Sequence, residues 1–125
     1  MVGIVIVTHS KKLSEGIIDE VNIMANGCLI KAAGGSDNDD YGTSYNKIKN
    51  AIESVYSEDG VIVLADIGSS IMTSEMVIEE LGYENIKLLD CPIVEGSIVA
   101  SIAAKNGNNL DEIVQEVLNT SLNKR

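Results

Sequence analysis

The feature that most constrains this chain is a pair of short, unbroken aliphatic runs, GIVIVT (residues 3–8) and VIVLAD (residues 61–66). A strand with one wet face alternates apolar and polar residues. These runs do not, so each must be covered on both faces, the condition that parallel strands meet between two layers of helix. Between the runs the apolar spacing changes. Leu13, Ile17, Val21 and Met24 recur at helical intervals, and Gly27 follows where a helix C-terminus favours glycine. CLIKAAG (28–34) and IKLLD (86–90) read as two more strands. Tyr45, Ile48, Ile52 and Val55 mark a second helix capped by Thr43 or Ser44, and Met72, Met76, Val77 and Ile78 mark a third that stops near Gly82. Residues 93–105 form a helix that is apolar on most sides, with one face for the core and another available to a second copy of the chain. Leu110, Ile113, Val114, Val117 and Leu118 give a last amphipathic helix, after which the tail NTSLNKR is expected to fray. The turn-rich stretch GGSDNDDYGTS (34–44) and the segment IGSS (67–70) read as loops.

This alternation predicts an α/β fold, a doubly wound, four-stranded parallel sheet in the order 2-1-3-4 with about five flanking helices, as one domain over residues 1–125. Right-handed crossovers are assumed. In such sheets ligands bind beyond the carboxyl ends of the strands, where the strand order reverses, here between strands 1 and 3. The residues leaving those two strands are Thr8-His9-Ser10 and Asp66-Ile67-Gly68-Ser69-Ser70, so the only histidine of the chain stands at the expected site.

Adjacent strands lie about 4.8 Å apart, so Asp66 can reach the imidazole of His9. A carboxylate accepting from one ring nitrogen fixes the tautomer and leaves the other nitrogen bare as a nucleophile. The surroundings suit an anionic electrophile. Gly68, Ser69 and Ser70 precede the third helix, Thr8 and Ser10 flank the histidine before the first, and Gly42, Thr43 and Ser44 open the second; helix N-termini and hydroxyls favour a phosphoryl group.

Composition limits the alternatives. With no Trp and no Phe the core must be aliphatic, and a formal charge of −10 argues against a nucleic-acid or anionic-membrane surface while suiting a basic protein partner. No run reaches the length of a membrane span, and the apolar N-terminus has neither a preceding cationic region nor a small-residue cleavage site, so a cytoplasmic protein is expected. Cys28 and Cys91 are too few and too far apart for a zinc site or a disulfide framework and read as reduced, buried thiols. DNDDYG (37–42) fails as a calcium loop because Tyr41 and Ile48 occupy ligand positions, and GGSDNDDYGTS fails as a P-loop because no Lys precedes Thr43. No metal site and no nucleotide held by this chain alone are expected.

The segments VTHS, GGSDNDDYGTS, VLADIGSS and LLDCPIVEGS, in that order, closely resemble the phosphotransferase subunits of bacterial dihydroxyacetone kinase, the DhaM type related to mannose-family enzyme IIA domains. The resemblance implies a mannose-type enzyme IIA fold and a phosphoryl carrier of the phosphotransferase system (PTS). His9 would take phosphate on Nε2 from the phosphocarrier protein HPr, with Asp66 orienting the ring, and pass it to ADP on a nucleotide-binding subunit. That subunit would serve a third one, which binds dihydroxyacetone. A homodimer is implied, with no cofactor beyond the covalent phosphoryl group. Some relatives fuse further HPr-like and enzyme I-like domains, so separate donors are expected here. Ser36 stands where the family has Thr, and Asp39-Asp40-Tyr41 is bulkier and more acidic than the family pattern, which assigns it to a partner surface.

Three other readings stay open at the level of sequence. A mannose-family enzyme IIA for a sugar would share the same residues. A receiver-like domain would be phosphorylated on Asp66, but Thr8 and His9 stand where its acidic pair belongs. A flavodoxin-like binding module would accept no phosphate at all.

Overall fold

The computed structural model describes residues 1–123. The elements run β1 (Gly3–Thr8), α1 (Lys11–Met24), β2 (Ile30–Gly34), α2 (Tyr45–Val55), β3 (Val61–Ala65), α3 (Gly68–Leu81), β4 (Ile86–Leu89), α4 (Ile93–Lys105) and α5 (Leu110–Asn123). All strands are parallel in the order β2-β1-β3-β4. The expected topology and the five helices are therefore present.

The two central strands divide their side chains by the period of two. Ile4 and Ile6 of β1, with Ile62 and Leu64 of β3, join Ile17 and Val21 of α1, Ala100 and Ala104 of α4, and Ile113 and Val117 of α5. Val5 and Val7, with Val61 and Val63, pack on the other face against Ile48, Ile52 and Val55 of α2 and Val77 of α3. Both faces are dry, which is why neither run could alternate. Truncating one of these large side chains, such as Ile6, to Ala would cost about 2–5 kcal/mol.

Five boundaries differ from the sequence reading, the smallest being β4, which ends at Leu89 and leaves Asp90 outside. β2 starts at Ile30, because pairing with β1 begins at Ile4↔Ile30; Leu29 contributes only its carbonyl, to the Ile4 N–H at 2.8 Å. β3 ends at Ala65, and Asp66 stands just beyond it. Gly68, Ser69 and Ser70 form the first turn of α3 rather than a loop before it. Residues 119–123, expected to fray, continue α5; residues 124 and 125 of that tail lie outside the described residues. On α4, Ile93, Ile98, Val99 and Ile102 pack onto the core that its small residues enter but stay partly exposed, and Val94 is its exposed large apolar side chain. Cys28 and Cys91 are free and only half-buried.

One close approach fixes the carboxyl edge. A Cβ on Gly34, the last residue of β2, would lie 2.2 Å from Ser14 Oγ, 2.7 Å from the Ser10 carbonyl and 2.9 Å from Lys11 Cα. Only glycine lets the start of α1 rest on the end of β2, and that contact seats the segment carrying His9.

Candidate active site

The register aligns Val7 with Ala65, so the chains that leave β1 and β3 do so side by side. The Asp66 N–H donates to the Val7 carbonyl at 3.0 Å, and the His9 N–H donates back to Asp66 Oδ2 at 3.1 Å. These two bonds extend the strand pairing by one step and bring the two side chains together. Nδ1 of His9 lies 3.0 Å from Asp66 Oδ1. An ionised carboxylate only accepts, so Nδ1 carries the proton and donates. Nε2 then bears the lone pair, and the Ser69 hydroxyl donates to it at 2.8 Å.

Ionisation of Asp66 has a clear cause. Burial pushes its carboxyl up, but the hydrogen bonds from the His9 and Ile67 N–H groups, the Ser70 hydroxyl and the His9 ring outweigh it and hold it below the ordinary carboxylate value. Both side chains are 14% exposed, so the pair is shielded yet reachable from one side.

The hydroxyls around the ring fall into two groups. Ser69, Ser70 and Thr43 converge on it. Ser70 Oγ lies 3.1 Å from Nδ1, and Thr43 Oγ1 lies 3.1 Å from Ser69 Oγ and 3.3 Å from Ser70 Oγ. The other sequence candidates are engaged by the chain itself. Thr8 Oγ1, fully buried, donates to the Ser10 carbonyl at 2.6 Å. Ser10 Oγ caps α1 by accepting from the Leu13 N–H at 3.2 Å. Ser44 Oγ caps α2 by accepting from the Lys47 N–H at 3.0 Å and donates to Asp37. The Gly42 N–H donates to the His9 carbonyl at 2.9 Å. In these four residues the named polar groups already have partners within the chain.

No side chain caps α3, whose N-cap is the apolar Ile67. Its first-turn N–H groups, in Gly68 and Ser69, therefore stand ready for an anion beside Nε2. The nearby lysines are committed elsewhere: Lys11 and Lys47 both bind Asp39. The site thus presents an unprotonated ring nitrogen among uncharged donors.

One neighbour was not singled out for the site from sequence. The Tyr41 ring lies 5.8 Å from the imidazole, centroid to centroid, at 37°. Its only signal was being the single bulky residue in a loop of turn formers. Among the described residues no cluster of His, Cys, Asp and Glu could hold a metal ion. A cleft of about 470 Å³ at the opposite edge, lined by Glu58, Asp59, Asn85 and Asp111, has no contact with this chemistry. No described helix is long and apolar enough to cross a membrane.

Residues 3–118 match the family model described as PTS system fructose IIA component, of the EIIA-man type, and the chain belongs to that family. Within it the chain is of the DhaM kind. It is 30% identical to the PTS-dependent dihydroxyacetone kinase phosphotransferase subunit DhaM of Lactococcus lactis, over 92% of both chains. It is 34% identical to the PEP-dependent dihydroxyacetone kinase phosphoryl donor subunit DhaM of Escherichia coli K12, over all of this chain but 28% of that protein. The chain thus spans about a quarter of the length of the enterobacterial relatives it matches. Among solved structures, an unknown-function protein, EF1359, superimposes with a TM-score of 0.84 at 27% identity, covering 95% of each chain. The enzyme IIA component of Streptococcus agalactiae superimposes at 0.72, covering 98% of this chain and 93% of that one; at 21% identity it speaks for the fold alone.

Proposed function

We propose that this chain is a phosphoryl carrier that takes phosphate from HPr on Nε2 of His9 and delivers it to ADP bound by the nucleotide-binding subunit of a dihydroxyacetone kinase. The observation that supports this reading is the paired geometry at His9: Nδ1 held by Asp66 and Nε2 offered to the α3 N-terminus. In the first step the Nε2 lone pair attacks phosphorus, the donor's N–P bond breaks, and its electron pair returns to the donor imidazole. The Nδ1 proton stays in place, and Asp66 offsets the charge gained by the ring. In the second step a terminal oxygen of ADP attacks, and the Nε2–P electron pair returns to His9. Phosphoryl transfer has a loose transition state, so positioning and charge stabilisation supply most of the catalysis.

Ser69 has two successive tasks in this scheme. Its hydroxyl holds Nε2 while the site is empty, then turns to a phosphoryl oxygen. Thr43 and the α3 N–H groups serve the remaining oxygens. The covalent phosphoryl group is the only cargo, and ADP stays with the partner subunit. A homodimer and a cytoplasmic location complete the reading; sedimentation velocity at micromolar concentration checks the first.

The test is incubation with phosphoenolpyruvate, enzyme I and HPr, followed by intact mass and by acid and base treatment. The expected product is one phosphoryl group, lost in acid and stable in base, and absent from His9→Ala. Labelling of His9→Ala, or a product labile to both acid and base, would transfer the role to the Asp66 carboxylate and overturn the proposal.

A further inference from the structure

Tyr41 is 78% exposed, and a tyrosine that open to water is ordinarily free to swing. Here its backbone is fixed from both sides. In the loop that carries it, the Ser36 N–H donates to the Asp40 carbonyl at 2.8 Å, the Asp39 N–H to the Ser36 carbonyl at 3.0 Å, and the Asp40 N–H to Ser36 Oγ at 3.1 Å. Asp39 adopts a left-handed φ of 66°, and its carboxylate accepts from Lys11 Nζ at 3.4 Å and from Lys47 Nζ. Lys47 also donates to the Gly34 carbonyl at 2.9 Å. The Gly42 N–H, next to Tyr41, donates to the carbonyl of His9 itself. The loop is stapled to the starts of α1 and α2 and to the histidine residue, so the backbone that carries Tyr41 is fixed beside the imidazole.

Resting on the carrier reading, we propose that Tyr41 is a positioning residue for the phosphorylated state of His9. An imidazole that keeps its Nδ1 proton while Nε2 bonds phosphorus carries a positive charge on the ring. A cation over the face of an aromatic ring, within about 6 Å of its centroid, is attracted by the ring quadrupole. The tilted Tyr41 ring, its centroid 5.8 Å from that of the imidazole, is within this range, and with its face turned to the charged imidazole it stabilises the phosphorylated form over the free one. The effect resides in the ring, so the hydroxyl is dispensable.

A thermodynamic argument separates this role from simple docking. A residue that only anchors a partner changes how fast the phosphoryl group crosses, but it cannot change the equilibrium between the separated species. A residue that stabilises phospho-His9 must change it. The experiment mixes phosphorylated HPr with the wild-type chain, Tyr41→Phe and Tyr41→Leu, and measures the final distribution of phosphate by intact mass. Tyr41→Leu should shift the equilibrium toward phosphorylated HPr by about two- to fivefold, the range of a cation–π contact at an exposed site. Tyr41→Phe should match wild type. The ring-current shift of the His9 ring protons should disappear in Tyr41→Leu, persist in Tyr41→Phe, and weaken in Asp39→Ala, which frees the loop. An unchanged equilibrium constant in Tyr41→Leu would overturn the proposal; if the KM for phosphorylated HPr rose instead, Tyr41 would be a docking anchor. A wild-type chain that takes no phosphate would bring down the carrier reading itself.

Discussion

Replacing Asp66 by Asn tests the site without changing its size. Both oxygens of Asp66 face donors. Oδ1 accepts from Nδ1 of His9 at 3.0 Å and from the Ile67 N–H at 2.8 Å, while Oδ2 accepts from the His9 N–H at 3.1 Å. An asparagine NH₂ therefore meets a donor in either orientation. Placed at the Oδ1 position it confronts two N–H groups, and the imidazole escapes by moving its proton to Nε2, which removes the nucleophile. Placed at the Oδ2 position it confronts one, so the ring tautomer survives but the negative charge opposite it is gone. The second orientation is the cheaper. A hydrogen bond to a charged group contributes about 1.5–3 kcal/mol, and each 1.4 kcal/mol or so of barrier is a factor of ten. Asp66→Asn should therefore slow phosphoryl uptake from HPr by about 10- to 100-fold, measured by quench-flow with intact mass. Its fold should persist, measured by circular dichroism. An uptake rate within a factor of about two of wild type, a change too small for the loss of such a bond, would remove Asp66 from the mechanism.

The same residue gives a pH dependence. Its folded-state pKa is depressed, so its stabilising contribution is present above the unfolded value near 3.9 and is lost as pH falls through the lower folded value. The stability gap between wild type and Asp66→Asn should close as pH falls below about that value; urea midpoints at stepped pH check this, and a gap that persisted undiminished in strong acid would contradict the sign. Ser69→Ala should slow uptake by only about 2- to 10-fold, the worth of one neutral hydrogen bond, because the α3 N–H groups remain. Gly34→Ala should lower stability by about 1–3 kcal/mol through overpacking against Ser14 and the Ser10–Lys11 backbone, read from urea unfolding. Burial, and then the Asp90 charge, push the Cys91 thiol up to about 11, so alkylation by iodoacetamide at neutral pH should be far slower than for free cysteine.

How much of this was legible in the sequence depended on whether the signal was local. β1 and β3 are unbroken aliphatic runs that fit doubly covered strands. With strand 1 placed between strands 2 and 3, the order the structure has, the meeting of His9 with Asp66 followed. The start of α3 did not. Its N-cap is Ile67, with φ −152° and no side-chain bond, whereas the usual signal is a serine; the serines lie inside the first turn, where their hydroxyls reach the imidazole. The same ambiguity placed Thr8, Ser10 and Ser44 among the phosphate ligands. A hydroxyl before a helix can cap it or bind an anion, and only coordinates tell which way it turns. The position of Tyr41 was the least legible. The acidic stretch around it suggested a partner surface, but Asp39 is clamped by Lys11 and Lys47, and one of those pairs spans 28 residues of chain.

The central claim is chemical: a proton held on Nδ1 by Asp66 and phosphorus received on Nε2. Long-range ¹H–¹⁵N correlation of the single histidine, before and after phosphorylation by HPr, tests it most directly. The account predicts a protonated Nδ1 and a bare Nε2 in the free chain, and phosphorus coupling confined to Nε2 in the product. Coupling at Nδ1, or a phosphorylated chain whose imidazole spectrum is unaltered, would contradict it.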